Sequence, residues 1–382
     1  MNIAYITSEY SYNNEVNNIG GIASFIRNLS VNLLLLGHTV YIFLYSQNRN
    51  EIIEYEGVII YKIKLKSFKG FTWLTNRLYF NKYINRIIYE KKIEILETPE
   101  WTGFTAFMKF KVPLVIRLHG SDTYFCSLEK RKVKFQNKFF EKRALQNADA
   151  IIGVSNFVSQ QTKEIFKLDK KIITIYNAID VKRFKPNYQE IIPKSLLYFG
   201  TIARKKGVLE IAKIFNKVIE KDETIRLFFL GRDNKDYLSG TSTLRMFKDL
   251  LSIKARENFF YKNAVPYNEV KKLINKAEVI ILPSFAEALP MTWLEAMAME
   301  KAIVTSNIGW ANEIMIDGET GFTCNPKEHE NYANKVINLF NDKSLAKKMS
   351  KKARLRIVSS FNQKIIFEKN YEFYKQLIRN EV

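Results

Sequence analysis

Short apolar runs alternate with longer amphipathic segments along almost the whole chain, which is the pattern of βα units wound about a parallel sheet. In the first half the pattern predicts strands near Ile3–Thr7, Val40–Leu44, Val58–Ile63, Ile93–Glu97, Leu114–Arg117, Ala150–Val154 and Ile172–Ile175. Helical periodicity fills Ala23–Leu36, Trp73–Glu90, Phe125–Asn147 and Asn156–Phe166 between them. The second half restarts the pattern, with strands near Leu196–Phe199, Arg226–Leu230, Asn258–Tyr261, Val279–Leu282 and Ala302–Thr305. Its helices fall near Val208–Glu220, Thr241–Ile253, Tyr267–Lys276 and Met291–Met299. The stretch from Asn177 to Pro193 has no period and carries Asn177, Asp180, Pro186, Asn187 and Pro193, as an interdomain linker does. Phe361, Ile365, Ile366, Tyr371, Tyr374 and Leu377 give the tail helical spacing. The expected organisation is an α/β protein of two doubly wound domains, residues 1–180 and 181–360, followed by a helical segment over 361–382.

Composition sharpens this picture. At 382 residues the chain is long for one core, since about 150 residues is a typical domain. Hydrophobic residues at 47% and charged residues at 26% exclude global disorder. No apolar run approaches the roughly 18–20 residues that span a bilayer; the strongest, Val31 to Leu36, ends at Gly37-His38. The N-terminus lacks the basic stretch and small-residue cleavage site of a secretory signal. Two distant cysteines, Cys126 and Cys324, exclude a disulfide framework and fit a reducing cytoplasm. The charge is the unusual feature: 60 Lys and Arg against 39 Asp and Glu, a net +21. Such an excess favours an anionic partner, whether nucleic acid, an anionic lipid surface or a phosphate-bearing substrate. No helix-turn-helix, zinc-finger or aromatic RNA-binding signature is present and the cations spread over both halves, so nucleic acid is not the expected partner.

In open α/β sheets, ligands sit outside the carboxyl ends of the strands, so candidate chemistry belongs in the loops that follow strands. After the first strand a polar loop ends in Gly20-Gly21 before a helix, a junction that lets backbone approach a phosphate or sugar closely. After the strand ending at Arg117 comes His119-Gly120-Ser121-Asp122, holding one of only three histidines. His38 follows a helix-ending glycine and His329 lies in a polar loop, so His119 is the candidate for hydrogen bonding to a sugar hydroxyl or a reacting group. The second half opens with Gly200-Thr201-Ile202-Ala203-Arg204-Lys205-Lys206-Gly207 ahead of a helix. Three consecutive cations oppose the positive end of a helix dipole, and a bound anion there reverses the sign. Further on, Glu287 falls in a loop and Glu295 in the second turn of a helix that Pro290 opens. Helical side chains tilt toward the N-terminus, so Glu295 reaches back to the crevice that Glu287 enters. Exposed main-chain amides after Glu287 would favour phosphate oxygens, and Ala288, Leu289, Pro290 and Met291 are candidate substrate-binding residues.

Together these residues resemble the retaining glycosyltransferases of family 4. Glu287 and Glu295 match that family's E-x7-E signature, Arg204 and Lys206-Gly207 its basic diphosphate-binding segment, Gly20-Gly21 its N-terminal glycine loop, and His119-Gly120 its active-site histidine. Further echoes are Ala148-Asp149-Ala150 with Ser155, Tyr176-Asn177-Ala178-Ile179-Asp180, Gly309 with Glu313, and Asp317-Gly318-Glu319-Thr320-Gly321. The sequence departs from the family at Thr201 after Gly200, at Ala288-Leu289, and at Met299-Glu300-Lys301-Ala302.

The resemblance implies a GT-B fold, two Rossmann-like domains facing across a cleft, with the C-terminal helix crossing back to the first domain. It implies a nucleotide-diphosphate sugar as donor, a saccharide or lipid-linked glycan as acceptor, and transfer with retention. Glu295 would bind the ribose and Glu287 the transferred sugar. Arg204 and Lys206 would neutralise the departing diphosphate, His119 would contact the sugar near its anomeric carbon, and Asp122 would assist the acceptor hydroxyl. No cofactor is expected, and no D-x-D occurs that would hold a divalent metal at the diphosphate. Rival readings are a GT-B sugar-nucleotide epimerase or disaccharide phosphorylase, and a basic nucleic-acid- or membrane-binding protein without catalysis. Two stretches mix cations with aromatics: Lys62 to Lys92, with Phe68, Phe71, Trp73, Tyr79, Phe80 and Tyr83, and Lys130 to Arg143, with Phe135, Phe139 and Phe140. They suggest a surface resting on anionic lipid, and a cytoplasmic protein peripheral to the inner face of the cell membrane.

Overall fold

The structure, a computed structural model, describes residues 1–12, 21–66, 72–188 and 191–379, with Tyr267 and Asn268 described by their backbone alone. The chain forms two compact units, Met1–Asn177 with Lys364–Val382, and Ala178–Gln363.

The first unit is built on eight strands: β1 (Asn2–Thr7), β2 (Thr39–Gln47), β3 (Glu51–Tyr55), β4 (Val58–Lys64), β5 (Ile95–Pro99), β6 (Leu114–Leu118), β7 (Ala150–Gly153) and β8 (Ile172–Thr174). They lie in the order β3-β4-β2-β1-β5-β6-β7-β8, every pairing parallel except β3 with β4. The second unit has β9 (Ser195–Phe199), β10 (Arg226–Leu230), β11 (Phe259–Lys262), β12 (Val279–Leu282), β13 (Ala302–Ser306) and β14 (Phe322–Cys324), ordered β11-β10-β9-β12-β13-β14 and wholly parallel. Counted from its own first strand this is the 3-2-1-4-5-6 order of a Rossmann sheet, and the first unit has the same order with a seventh parallel strand at one edge and a hairpin strand at the other. All five residues of β5, β6, β9 and β13 are buried, because helices cover both faces of a parallel sheet. That is why these strands are mostly apolar, and why Glu97 in β5 and Arg117 in β6 are buried against each other. In each unit the strand order reverses beside the first strand, between β1 and β5 and between β9 and β12. Loops leaving those strands are the places where a ligand is held.

The structure differs from the sequence reading where local signals were weak. Glu51–Tyr55 is an edge strand, turned back by Glu56-Gly57, and its exposed Ile52 hides the pairing from any core pattern. The single helix expected over Phe125–Asn147 is two helices, Asp122–Leu128 and Phe135–Asn147. Between them the backbone turns at Lys130 (φ 53°), and Arg131 pairs with Glu129 and Asp122. The one expected over Thr241–Ile253 is also two, Thr243–Asp249 and Ile253–Glu257, each started by a serine: Ser242 Oγ accepts from Arg245 N–H and Ser252 Oγ from Ala255 N–H. Helices at His329–Asn341 and Lys343–Ser360, unassigned from sequence, complete the second unit before the helix Gln363–Ile378, which from Lys364 onward belongs to the first unit. No described helix is long and apolar enough to cross a membrane.

Candidate active site

In the second unit the loop after β9 runs into a single 3-10 turn, Arg204–Lys206, and then into the helix Val208–Lys221. Gly207 joins them with a left-handed φ of 73°. A side chain there would place its Cβ 2.0 Å from the Pro283 carbonyl oxygen, so glycine is what lets the basic turn lie against the end of β12. The amides of Phe285 and Ala286 both donate to the Lys205 carbonyl, locking the loop after β12 onto the same turn.

This contact brings Lys206 to Glu287: Lys206 Nζ donates to Glu287 Oε1 at 2.6 Å. The Glu287 side chain is 9% exposed and that of Lys206 23%, so the pair sits at the edge of solvent with its acid almost covered. Arg204 does not join it. Its guanidinium forks onto Asp236, Nε to Oδ1 at 2.7 Å and Nη2 to Oδ2 at 3.0 Å. Ser239 also donates to Asp236, from both its N–H and its Oγ. The Arg204 guanidinium holds the Asp236 carboxyl down to about 2. The sequence reading had both cations waiting to converge with helix amides upon an anion. In the structure each already has an acid, and the helix N-terminus is complemented by Glu210 in its first turn. Glu210 also binds His329 Nε2 at 2.5 Å, and His329 opens a helix where a polar loop was expected.

Glu295 is buried on the helix Met291–Ala298, 5% exposed, and Glu287 is 7% exposed in the loop before it. Pro290 stands at the capping position just before that helix. Ala288, Leu289 and Pro290 are themselves buried, not presenting exposed amides as the sequence suggested, because their apolar side chains pack inward. Pro290 has no N–H to offer. Met291 is half-buried.

In the first unit β6 delivers His119 beside a fully buried cation. Arg117 forks onto Glu97 at 2.7 and 3.0 Å and donates to Asn370 Oδ1 at 2.6 Å; Tyr374 donates its hydroxyl to Glu97 at 2.7 Å. Its guanidinium lies 4.7 Å from the Phe25 ring centre, and the same ring meets His119 edge-on at 5.0 Å. Burial, with Arg117 nearby, pushes the His119 imidazole down to about 3, so it is neutral at physiological pH. The loop is held by its backbone. Glu100 accepts from the N–H groups of His119 (2.9 Å) and Gly120 (2.6 Å), and Glu141 from those of Asp122 (3.1 Å) and Thr123 (3.2 Å). Burial raises the Glu100 carboxyl to about 8. Asp122 is engaged: Asn137 donates to it at 2.9 Å and Arg131 at 3.2 Å. Burial pushes its carboxyl up, but those hydrogen bonds outweigh burial and leave it below its ordinary value, a weaker base for an acceptor hydroxyl. Gly21 opens the helix Gly21–Leu35 and is exposed, while Gly20 lies outside the described residues.

Several motif echoes have structural duties. Asp149 accepts from Leu114 N–H at 2.8 Å, Ser155 caps the helix Asn156–Phe166, Asp180 accepts from the N–H groups of Lys182 and Arg183, and Asp317 accepts from Thr323 N–H. Asp236, Glu97, Glu100 and Glu141 were not singled out from the sequence. Glu97 and Glu100 carry only the signal of an acid near a strand end, which is too common to select them, while Asp236 lies in a polar loop and Glu141 within a helix.

Comparison with known proteins follows the same division. Residues 19–183 match the model of Glycosyltransferase Family 4, and residues 182–356 that of Glycosyl transferases group 1. An uncharacterized glycosyltransferase of Methanocaldococcus jannaschii is 27% identical over 367 residues, 92% of each chain. The capsular polysaccharide biosynthesis glycosyltransferase CapM of Staphylococcus aureus is 24% identical over 260 residues, 63% of this chain and 64% of its own. Among solved structures, sucrose-phosphate synthase from Thermosynechococcus elongatus superposes with a TM-score of 0.81 at 18% identity, covering 99% of both chains. HepE of Anabaena, in complex with UDP and glucose, gives 0.75 at 14% identity, covering 98% of this chain and 99% of its own.

Proposed function

Because the chain belongs to the family-4 glycosyltransferases of GT-B type, we propose that it moves a sugar, with retention, from a nucleotide-diphosphate sugar to a hydroxyl of a saccharide or lipid-linked saccharide, in surface-polysaccharide or glycoconjugate assembly. The setting we propose is the cytoplasm, at the inner face of the cell membrane. The observation that carries the reading is the Lys206–Glu287 pair where β9 and β12 end, at the switch point of a Rossmann sheet. The polysaccharide setting rests on CapM, and the donor class on a neighbour of the same fold that holds UDP and glucose.

In this reading the bond between the anomeric carbon and the diphosphate oxygen breaks as the acceptor oxygen bonds to the same face of that carbon, and the acceptor's hydroxyl proton passes to the departing diphosphate. Negative charge grows on the departing diphosphate. Lys206 meets it as a positioned ammonium, already oriented by Glu287, and Arg204 adds a guanidinium braced by Asp236, so no metal is needed. Glu287 accepts from the hydroxyls of the transferred sugar and Glu295 from the ribose, with the segment from Ala288 to Met291 shaping the pocket between them. Gly20 and Gly21 let the first helix approach the donor. His119 faces the sugar near its anomeric carbon. A neutral imidazole suits that place, because an imidazolium would repel the positive charge that develops on the ring. The Asp122 carboxylate, tied to Arg131 and Asn137, serves mainly to order the acceptor side.

The test is product formation with a panel of nucleotide sugars and glycan acceptors. Nucleoside diphosphate released only when an acceptor is supplied supports transfer. Release without acceptor, or a sugar phosphate formed from inorganic phosphate, supports the epimerase or phosphorylase reading instead.

A further inference from the structure

We propose that the outward face of the helix Phe135–Asn147, with the loop 101–110 and Trp73 beside it, docks on a bilayer surface that contains anionic lipid. Residues 130–143 hold seven Lys or Arg and a single acid, Glu141. That acid is turned inward, buried, and spent on the amides of Asp122 and Thr123. Lys132, Lys134 and Lys138 are exposed and make no ion pair among the described residues. The face is thus positive with no acid of its own to offset it.

The same face is aromatic. Phe135 is 81% exposed, Phe139 46%, Trp73 42% and Phe107 40%. Their rings form a continuous line, Phe135 to Phe139 at 6.2 Å, Phe139 to Phe107 at 6.0 Å and Phe107 to Trp73 at 6.3 Å. Solvated surfaces seldom expose touching aromatic rings, and such a patch marks an interaction site. Phe68 and Phe71, part of the stretch suggested from sequence, lie outside the described residues.

The patch is built rigidly. Phe107 has a left-handed φ of 66°, an outlier for a bulky side chain. Gly103, at φ 59°, packs so closely on the helix that a Cβ would sit 2.1 Å from the Phe140 carbonyl carbon. Arg77 ties the layers from below, donating to the Gly103 carbonyl with its guanidinium 4.2 Å from the Phe140 ring centre. Arg143 lies 5.6 Å from the centre of the Phe107 ring. Exposed rings flanked by unpaired lysines on one helix face suit the headgroup boundary of a bilayer: rings enter the acyl margin while ammonium groups meet anionic headgroups. A duplex nucleic acid would use the lysines and leave the rings idle. The inference does not depend on the proposed transfer chemistry.

The test is cosedimentation of the full chain with vesicles of phosphatidylcholine containing phosphatidylglycerol, beside pure phosphatidylcholine vesicles, at about 0.1 M salt, where screening acts over about 10 Å. The protein is expected to sediment with the anionic vesicles and stay in solution with the neutral ones. Phe135→Ser with Phe139→Ser, and separately Lys134→Glu with Lys138→Glu, are each expected to weaken partition by about tenfold or more, with unchanged thermal unfolding because all four side chains are exposed. Absence of binding by the native chain overturns the proposal. So does binding that the phenylalanine pair leaves unchanged, or that duplex DNA competes away as well from that pair as from the native chain, since either marks a general polyanion site.

Discussion

Around β6, buried carboxyl groups meet backbone amides: Glu100 takes those of His119 and Gly120, Glu141 those of Asp122 and Thr123. Around β9 and β12, buried carboxylates meet side-chain cations: Glu287 takes Lys206, and Asp236 takes Arg204. The first arrangement fixes a loop's shape, because a backbone amide has nowhere else to go without unfolding its turn. The second fixes charge and leaves it able to change partners, because an ammonium on a flexible stem can swing from a carboxylate to a phosphate. One unit therefore holds its histidine loop through the backbone, and the other holds two cations each against an acid.

Breaking the frame of the first unit carries the largest expected effect. Arg117→Met leaves Glu97 buried without its counter-charge, and the loss of one partner from a buried pair costs about 3–5 kcal/mol. Urea denaturation should show that fall. A change within about 1 kcal/mol would mean that the pair contributes no more than an ordinary hydrogen bond. In the second unit, Lys206→Ala should lower the turnover rate by about 100- to 1,000-fold, the range seen when one donor to a developing anion is removed. Lys206→Arg should recover only part of it. Asp236→Asn sharpens the contrast, since it keeps the shape and loosens the guanidinium: donor affinity should fall by about tenfold, equivalent to about 1.4 kcal/mol, with turnover at saturating donor little changed. Equal losses in both would place Asp236 in the transition state and not behind Arg204.

A further effect is one of pH. The unfolded chain protonates its histidine near 6.5, whereas folded His119 resists protonation down to about 3. The unfolded state therefore binds more protons across that window, and His119 costs stability as pH falls through it. Glu100, raised to about 8 from 4.5, acts in the opposite sense, costing stability as pH rises from 4.5 toward 8. His119→Gln should flatten the acid side of the stability curve without touching the alkaline side. Turnover should show no inflection attributable to His119 between about pH 5 and 8.

Most of the architecture could be read from the sequence, because strands covered on both faces appear as largely apolar runs; β12 is wholly apolar, β9 is apolar after Ser195, and β6 is broken only by Arg117. Glu51–Tyr55 could not, since an edge strand with charges on both faces buries too little to leave a period. Ser242 and Ser252 were readable as caps and would have divided the helix expected over Thr241–Ile253. Of the candidate site, Lys206, Glu287 and Glu295 stood out through spacing relative to strand ends. Asp236 did not, because it sits in a polar loop 32 residues from Arg204 and only the return of the chain brings them together. Asn370 is farther still from Arg117, 253 residues away, and a helical pattern says nothing about which distant guanidinium a helix will meet.

The central claim is that the basic turn beside Glu287 receives the diphosphate of a nucleotide sugar. Thermal unfolding of the full chain with UDP, GDP and ADP, each in the native protein and in Lys206→Ala, tests it most directly. One diphosphate should stabilise the native protein by about 2.7 kcal/mol at 100 times its dissociation constant, and most of that gain should vanish in the variant. No shift with any of the three, or the same shift in both proteins, would contradict the claim.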